Sequence, residues 1–294
     1  MAEINRSHEN SRYLPGIRLP EDLAATTDLA AAGDADAVLL ATPAQFLRPT
    51  LQKLAPHLKP GVPLLICAKG IETGTHLLLH QVVGQLAPDQ PVAALSGPSF
   101  AGDIARGLPT AVTLACEDVA LGEELVQSIG AQNLRPYLST DVTGVEIGGA
   151  LKNVIAIACG ITEGQGLGES ARAALMTRGL SEMTRLAVAL GGQTETMMGL
   201  AGLGDLALSC NSRQSRNFTL GFRLGQGESL ASILGGARGV FEGASTVSAA
   251  LRLAERDRID MPITAAVDTI LQSRAAIADV IAGLLTRPYT TEAR

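Results

Sequence analysis

Tryptophan is absent from this chain and aromatic residues make up only 3% of it, so it offers no platform on which single-stranded bases or sugar rings could stack. Cations are also scarce. The 23 Lys and Arg residues stand against 29 Asp and Glu, a net charge of −6, which disfavours a nucleic-acid or anionic-membrane surface. An anionic ligand must therefore be met by a local cluster of cations. The four cysteines, Cys67, Cys116, Cys159 and Cys210, are scattered singly in or beside apolar runs, as small buried residues of a reducing compartment are. No zinc-type spacing is present. His76 and His80 stand at i,i+4 on what would be one helix face, but no acidic third ligand accompanies them, so no metal is expected. No uninterrupted apolar stretch reaches the roughly 20 residues that span a bilayer, and the N-terminus has neither a basic nor an apolar leader region. The expectation is a cytoplasmic protein with no membrane role.

What is present is enough for two domains: 294 residues, 46% apolar and 18% charged, the balance of packed cores rather than disorder. Up to about residue 140, short apolar runs alternate with amphipathic stretches, the pattern of βαβ units and a mostly parallel sheet. The clearest strands are Ala37 to Ala41, Pro63 to Ala68, Val92 to Leu95 and Ala111 to Ala115. From Thr143 the period changes to 3.6, and strands disappear. Helices are read over Ala171 to Leu190, Ser245 to Arg256, Thr264 to Ser273 and Ile277 to Leu285. The expected class is α/β, a Rossmann-like parallel sheet in residues 1–142 followed by an all-α domain in residues 143–294.

Three of the strands end in turns with unusual chemistry: Thr42-Pro43, Lys69-Gly70 and Ser96-Gly97-Pro98-Ser99. In open α/β sheets, ligands bind beyond the carboxyl ends of the strands, so these turns should converge on one crevice. Gly and Pro as simple punctuation explain Pro43 and Gly70 equally well, but not Lys69. Lys152 lies in Gly148-Gly149-Ala150-Leu151-Lys152-Asn153, inside a helix otherwise nearly free of charge. Burying an ammonium costs several kcal/mol without a compensating partner, and desolvation lowers its pKa towards neutrality. A lysine snorkelling to the helix edge is the alternative. Asp205, after Gly202-Leu203-Gly204, can orient Lys152 or bond a hydroxyl, or simply cap a helix. Ser215-Arg216-Asn217 offers a hydroxyl, a two-pronged guanidinium and an amide, a set that suits a phosphate. Ser99 can cap the helix begun at Ala101, whose N-terminus favours anions.

Taken together, Lys69-Gly70, Ser96 to Ala101, Lys152-Asn153, Gly202 to Asp205 and Ser215 to Asn217 closely resemble the bacterial-type NAD(P)-dependent glycerol-3-phosphate dehydrogenases. The resemblance runs from the first residues to near the C-terminus. It implies hydride transfer between NAD or NADP and the dihydroxyacetone phosphate/glycerol 3-phosphate pair, with Lys152 as acid and base. By the same resemblance Gly97, Ser99, Asn153, Asp205, Ser215 and Asn217 lie on the substrate side. Tyr13, Ala101, Val240 and Glu242 lie on the cofactor side, and Lys69 and Arg216 serve both. A homodimer is a further expectation.

One departure stands beside these matches. The family opens with a strand, a Gly-x-Gly-x-x-Gly turn and a helix that cradle the pyrophosphate, whereas this chain begins Met1-Ala2-Glu3-Ile4. The start reads as though roughly 35 residues, about one βαβ opening unit, were missing. Gly199 to Gly204 has the wrong spacing and no preceding strand. Two other readings stay open: a catalytically silent fragment acting through oligomerisation, and a sister hydroxy-acid dehydrogenase of the same two-domain plan.

Overall fold

The structure is a computed structural model that describes residues 1–236, 239–289 and 291. A short helix α1 (Ala2–Ser7) leads into a hairpin of β1 (Glu9–Asn10) and β2 (Leu14–Arg18). Next come β3 (Val38–Leu40), α2 (Leu47–Leu54), β4 (Leu64–Ile66), α3 (Leu79–Leu86), β5 (Val92–Ser96) and α4 (Ala101–Ala105). β6 (Thr110–Cys116), α5 (Val119–Ile129) and β7 (Leu134–Ser139) complete a five-stranded sheet of order β3-β4-β5-β6-β7. β4 is buried along its whole length, as expected for a parallel strand covered on both faces. β3 forms one edge, with Leu39 54% exposed.

The sheet is parallel except between β5 and β6, which run antiparallel with Ala93 opposite Cys116 and Ser96 opposite Thr113. The cause is the connection: only α4 and its flanking turns join these two strands, with no full-length helix to carry the chain back across the sheet.

The rest is helical: α6 (Val142–Gly164), α7 (Glu169–Ala189), α8 (Thr194–Met198), α9 (Asp205–Cys210), α10 (Arg216–Gly225), α11 (Leu230–Gly235), α12 (Glu242–Arg256), α13 (Pro262–Leu271) and α14 (Ile277–Leu285). α6 is the axis of this half. It is long and apolar enough to cross a membrane, yet its apolar window is wholly buried inside the protein. Asp141 starts it by accepting from the Gly144 amide at 2.7 Å, and its other oxygen accepts from the Gln193 amide at 2.8 Å. Farther along, α10 lies almost backbone to backbone on α6. A Cβ on Gly160 would stand 2.1 Å from the Phe218 carbonyl oxygen, and one on Gly221 2.0 Å from that of Ile157. These glycines are there for close approach, and they place the start of α10 beside the middle of α6. Gly221→Ala is therefore expected to cost about 2–3 kcal/mol through overpacking. Gly283→Ala, whose Cβ meets nothing within 4 Å in α14, should leave stability unchanged or slightly raised; urea unfolding of both variants checks the contrast.

Candidate active site

The turns after β4 and β5 meet the middle of α6, and the turn after β3 lies against that after β4, where a Cβ on Gly70 would stand 2.7 Å from Ala44 Cβ. Gly149 permits the meeting with α6: a Cβ there would lie 2.7 Å from Ser96 Oγ and 3.4 Å from Lys69 Cγ. Gly97 has φ +145°, and a side chain at it would collide with Val112 Cα at 2.9 Å, so only glycine lets the strand end turn there.

Lys152 and Lys69 share one carboxylate. Lys152 Nζ donates to Asp205 Oδ1 at 2.9 Å and to Ser209 Oγ at 2.7 Å. Lys69 Nζ donates to Asp205 Oδ2 at 2.6 Å and to the Gly97 carbonyl at 3.1 Å. Asp205 is 1% exposed and Lys152 8%, so Lys152 does not snorkel to solvent. Burial first, then the neighbouring Lys69 charge, lowers the Lys152 pKa to about 8 against the opposing pull of Asp205. Burial alone would raise the Asp205 pKa, but the two ammonium groups outweigh it and hold the carboxyl below its ordinary value. Asp205 is the first residue of α9, after a π-type turn over Leu200–Gly204; its side chain goes to the lysines and makes no cap bond. Ser209 is one helical turn on and fully buried. Its role is not evident from the sequence reading, although the Asp205-x-x-x-Ser209 spacing places both on one helix face.

Asn153 and Asn217 form a second, braced layer. Asn217 Nδ2 donates to Asn153 Oδ1 at 2.9 Å, and Asn217 Oδ1 accepts from the Gly243 amide at 3.1 Å. Asn153 Nδ2 faces the carbonyls of Gly149 and Lys69 at 3.3 and 3.4 Å. Ser215 caps α10 by accepting from the Phe218 amide at 3.3 Å, and Arg216 begins that helix with an exposed side chain. Ser99 donates to the Gly97 carbonyl at 2.9 Å. It does not cap α4, whose N-cap position is Phe100, so the capping reading of Ser99 is overturned. Ala101 is the exposed first residue of that helix, and Val240 lies half-buried just before α12. Tyr13 sits on the exposed β1–β2 hairpin, 63% exposed, beneath Arg12.

Glu242, at the start of α12, closes the crevice on its far side. Its Oε1 accepts from the Ala44 amide at 3.1 Å, and burial raises its pKa against the pull of that amide and of Arg216. Four buried oxygens around the crevice have no protein partner: Thr42 Oγ1, Ser96 Oγ, Glu242 Oε2 and Thr246 Oγ1. Thr42 and Ser96 stand at the ends of β3 and β5. Oγ1 of Thr246 and Oε2 of Glu242 lie 3.2 and 3.3 Å from where a Gly70 Cβ would be. Buried polar atoms left unpaired are costly, and a ligand with several donors and acceptors, such as a nicotinamide nucleotide, suits them. Among the described residues no group of three or more His, Cys, Asp or Glu side chains could hold a metal.

His76 and His80 do not share a helix. His76 adopts φ +58° in the turn before α3. His80 on α3 reaches across to α6, with Nδ1 2.6 Å from Glu146 Oε2 and its amide donating to Glu146 Oε1 at 3.0 Å. Burial pulls the His80 pKa down, but the bond to Glu146 and the charges of Glu146 and Glu117 prevail, and the pKa is raised. A raised folded-state pKa means that the pair's stabilisation is complete below the unfolded value near 6.5 and is lost as pH climbs through the folded value. Between pH 6 and pH 9 the native chain should lose about 1–2 kcal/mol that His80→Asn does not lose, measured as the difference between their urea-unfolding free energies.

Comparison with known proteins agrees with this geometry. The family profile described as NAD-dependent glycerol-3-phosphate dehydrogenase N-terminus matches residues 1–122, and the corresponding C-terminus profile matches residues 141–282. The chain belongs to the NAD-dependent glycerol-3-phosphate dehydrogenase family. Among its relatives is the glycerol-3-phosphate dehydrogenase [NAD(P)+] of Parvibaculum lavamentivorans, 53% identical over 98% of this chain and 87% of that protein. Another of the same name, from Caulobacter vibrioides, is 50% identical over 100% of this chain and 88% of that protein. The crystal structure of glycerol-3-phosphate dehydrogenase from Coxiella burnetii superposes with TM-score 0.93 at 37% identity, covering 97% of this chain and 88% of that one. Membership makes the chain an NAD(P)-dependent oxidoreductase, with a Rossmann-like α/β part followed by a helical part.

Proposed function

We propose that residues 1–142 and 143–294 form a cofactor half and a substrate half, and that the crevice between them interconverts dihydroxyacetone phosphate and sn-glycerol 3-phosphate. The observation that carries the reading is Lys152, a buried ammonium with pKa about 8, held by Asp205 beside the turns after β4 and β5. A bound nicotinamide supplies the hydride. Hydride arrival on the ketone carbon leaves negative charge on oxygen, and Lys152 donates the proton that neutralises it. In the oxidative direction the neutral amine takes the hydroxyl proton back. Asp205 holds Lys152 in place and keeps Lys69 beside it, and burial, with that second cation after it, keeps the Lys152 pKa low. The Asn153–Asn217 brace fixes the rotamers beneath the site. Arg216 and the start of α10 meet the phosphate, while Glu242, Val240, Ala101 and the turn at Thr42 line the nucleotide side. Such an enzyme works in the cytoplasm and supplies a precursor for glycerophospholipids.

The decisive assay follows oxidation of NADH and NADPH with dihydroxyacetone phosphate and with dihydroxyacetone. Turnover should require the phosphorylated ketone. Equal use of both ketones would favour a sister dehydrogenase, and absence of nucleotide binding a silent fragment. Arg216→Lys keeps the charge and loses the planar fork, so KM for dihydroxyacetone phosphate should rise about tenfold, near the worth of one charge-assisted hydrogen bond. Because Arg216 is exposed, the melting temperature should hardly move; a large drop would make it a structural residue.

A further inference from the structure

Arg213 stands on the short loop that joins α9, the helix of Asp205 and Ser209, to α10, the helix that begins with Arg216. It reaches none of the groups described in the crevice, yet it is tied through its side chain and its main chain at once. Its Nη2 donates to Glu163 Oε1 at 2.6 Å, at the end of α6. The guanidinium carbon lies 3.8 Å from the centre of the Phe222 ring on α10, and the Arg213 carbonyl accepts from Thr219 Oγ1, also on α10, at 2.9 Å.

Glu163 is itself held. Its other oxygen accepts from Arg172 Nη1 at 2.6 Å, and Arg172 is paired with Glu169 as well. Two guanidinium groups thus face two carboxylates, so the cluster adds no net attraction for an anion, and any effect on a ligand must pass through the loop. Within the loop the Gln214 amide donates to Ser212 Oγ at 3.2 Å and the Ser215 amide to the Ser212 carbonyl at 3.0 Å. Such internal bonds shape the loop without fixing it to α6; the Arg213 side chain supplies that tie.

We propose, resting on the phosphate role given to Arg216 above, that Arg213 is a positioning residue for the substrate phosphate. Clamped between Glu163 and the Phe222 ring, it holds residues 211–215 so that Ser215 and Arg216 face the phosphate in one orientation. An exposed ion pair and an exposed cation–π contact are each weak, but a loop needs little to choose between orientations. Removing both lowers the fraction of chains in the competent one, and the apparent affinity for the phosphate falls by the same factor. The proton-transfer group is spared, because Lys152 and Lys69 are held by bonds outside the loop.

Steady-state rates with dihydroxyacetone phosphate and NADH test the proposal. Arg213→Ala should raise KM for dihydroxyacetone phosphate about fivefold. Turnover, KM for NADH and the melting temperature should stay near native, since the Arg213 side chain is 61% exposed. Arg213→Lys keeps a charge facing Glu163 and should recover part of the loss, while Phe222→Leu, which removes the ring alone, should raise KM about twofold. Because Arg213 acts through Arg216, its alanine substitution should add little to Arg216→Lys. An unchanged KM in Arg213→Ala, in a native chain that prefers dihydroxyacetone phosphate to dihydroxyacetone, would overturn the proposal and leave the phosphate subsite standing. A fall in kcat, an equal rise in KM for NADH, or full additivity with Arg216→Lys would do the same. A native chain that uses both ketones alike, or neither, would overturn the subsite and the proposal together.

Discussion

Lys152→Ala should lower turnover about 10²- to 10⁴-fold, the usual contribution of general acid–base catalysis, with nucleotide affinity nearly unchanged. The substitution removes the proton donor to the nascent alkoxide and no group assigned to the nucleotide. Lys152→Arg distinguishes proton transfer from mere positive charge, because a guanidinium does not release its proton in this range; it should be as inactive as the alanine variant. The native pH profile carries the same signature. Ketone reduction uses the ammonium and should fall as pH rises through about 8, while oxidation of glycerol 3-phosphate uses the amine and should rise over the same interval. Steady-state rates in both directions, with nucleotide titration alongside, check this. An alanine variant with near-native turnover would remove Lys152 from the chemistry.

Asp205→Ala should be the most damaging substitution for the fold as well as for activity. It leaves Lys69 and Lys152 facing each other with their common counter-ion gone, and breaking one partner of a buried ionic cluster costs about 3–5 kcal/mol. The Asp205 pKa is held below its ordinary value, so its stabilisation is present above that ordinary value and is lost as pH falls through the depressed one. Native and variant chains should therefore converge in stability in acid. Asp205→Asn, which keeps the shape and one acceptor, should lose less. Chemical unfolding at pH 7 and pH 3 reads all three results. A pH 7 loss for alanine below about 1 kcal/mol, the worth of a surface pair, would mean that water reaches the lysines.

Much of the sheet was legible because β3 to β6 are continuous apolar runs that need only burial to be read, and α7, α12, α13 and α14 show a clear 3.6-residue period, whereas α8 to α11 were not read. β7 was not read. Its Leu134-Arg135-Pro136-Tyr137 run mixes charge and proline, and it is tolerated only because β7 is an edge strand, where the missing proline N–H has no ladder partner to disappoint. The antiparallel turn of β6 was equally invisible, since strand direction depends on what the connection can span. At the site, Lys152 stood out because an ammonium in an apolar helix demands a partner. Which partner it takes depended on tertiary structure: Asp205 is 53 positions away from Lys152 and 136 from Lys69, and Ser209 reads on its own as an ordinary helical serine. The sequence by itself determined the family, the class of fold and the residue types of the chemistry, since burial patterns and charge scarcity are local properties. Only the tertiary structure decided which charges share a counter-ion and how far burial shifts the Lys152 proton, because desolvation and Coulomb energies depend on distances that no linear spacing fixes.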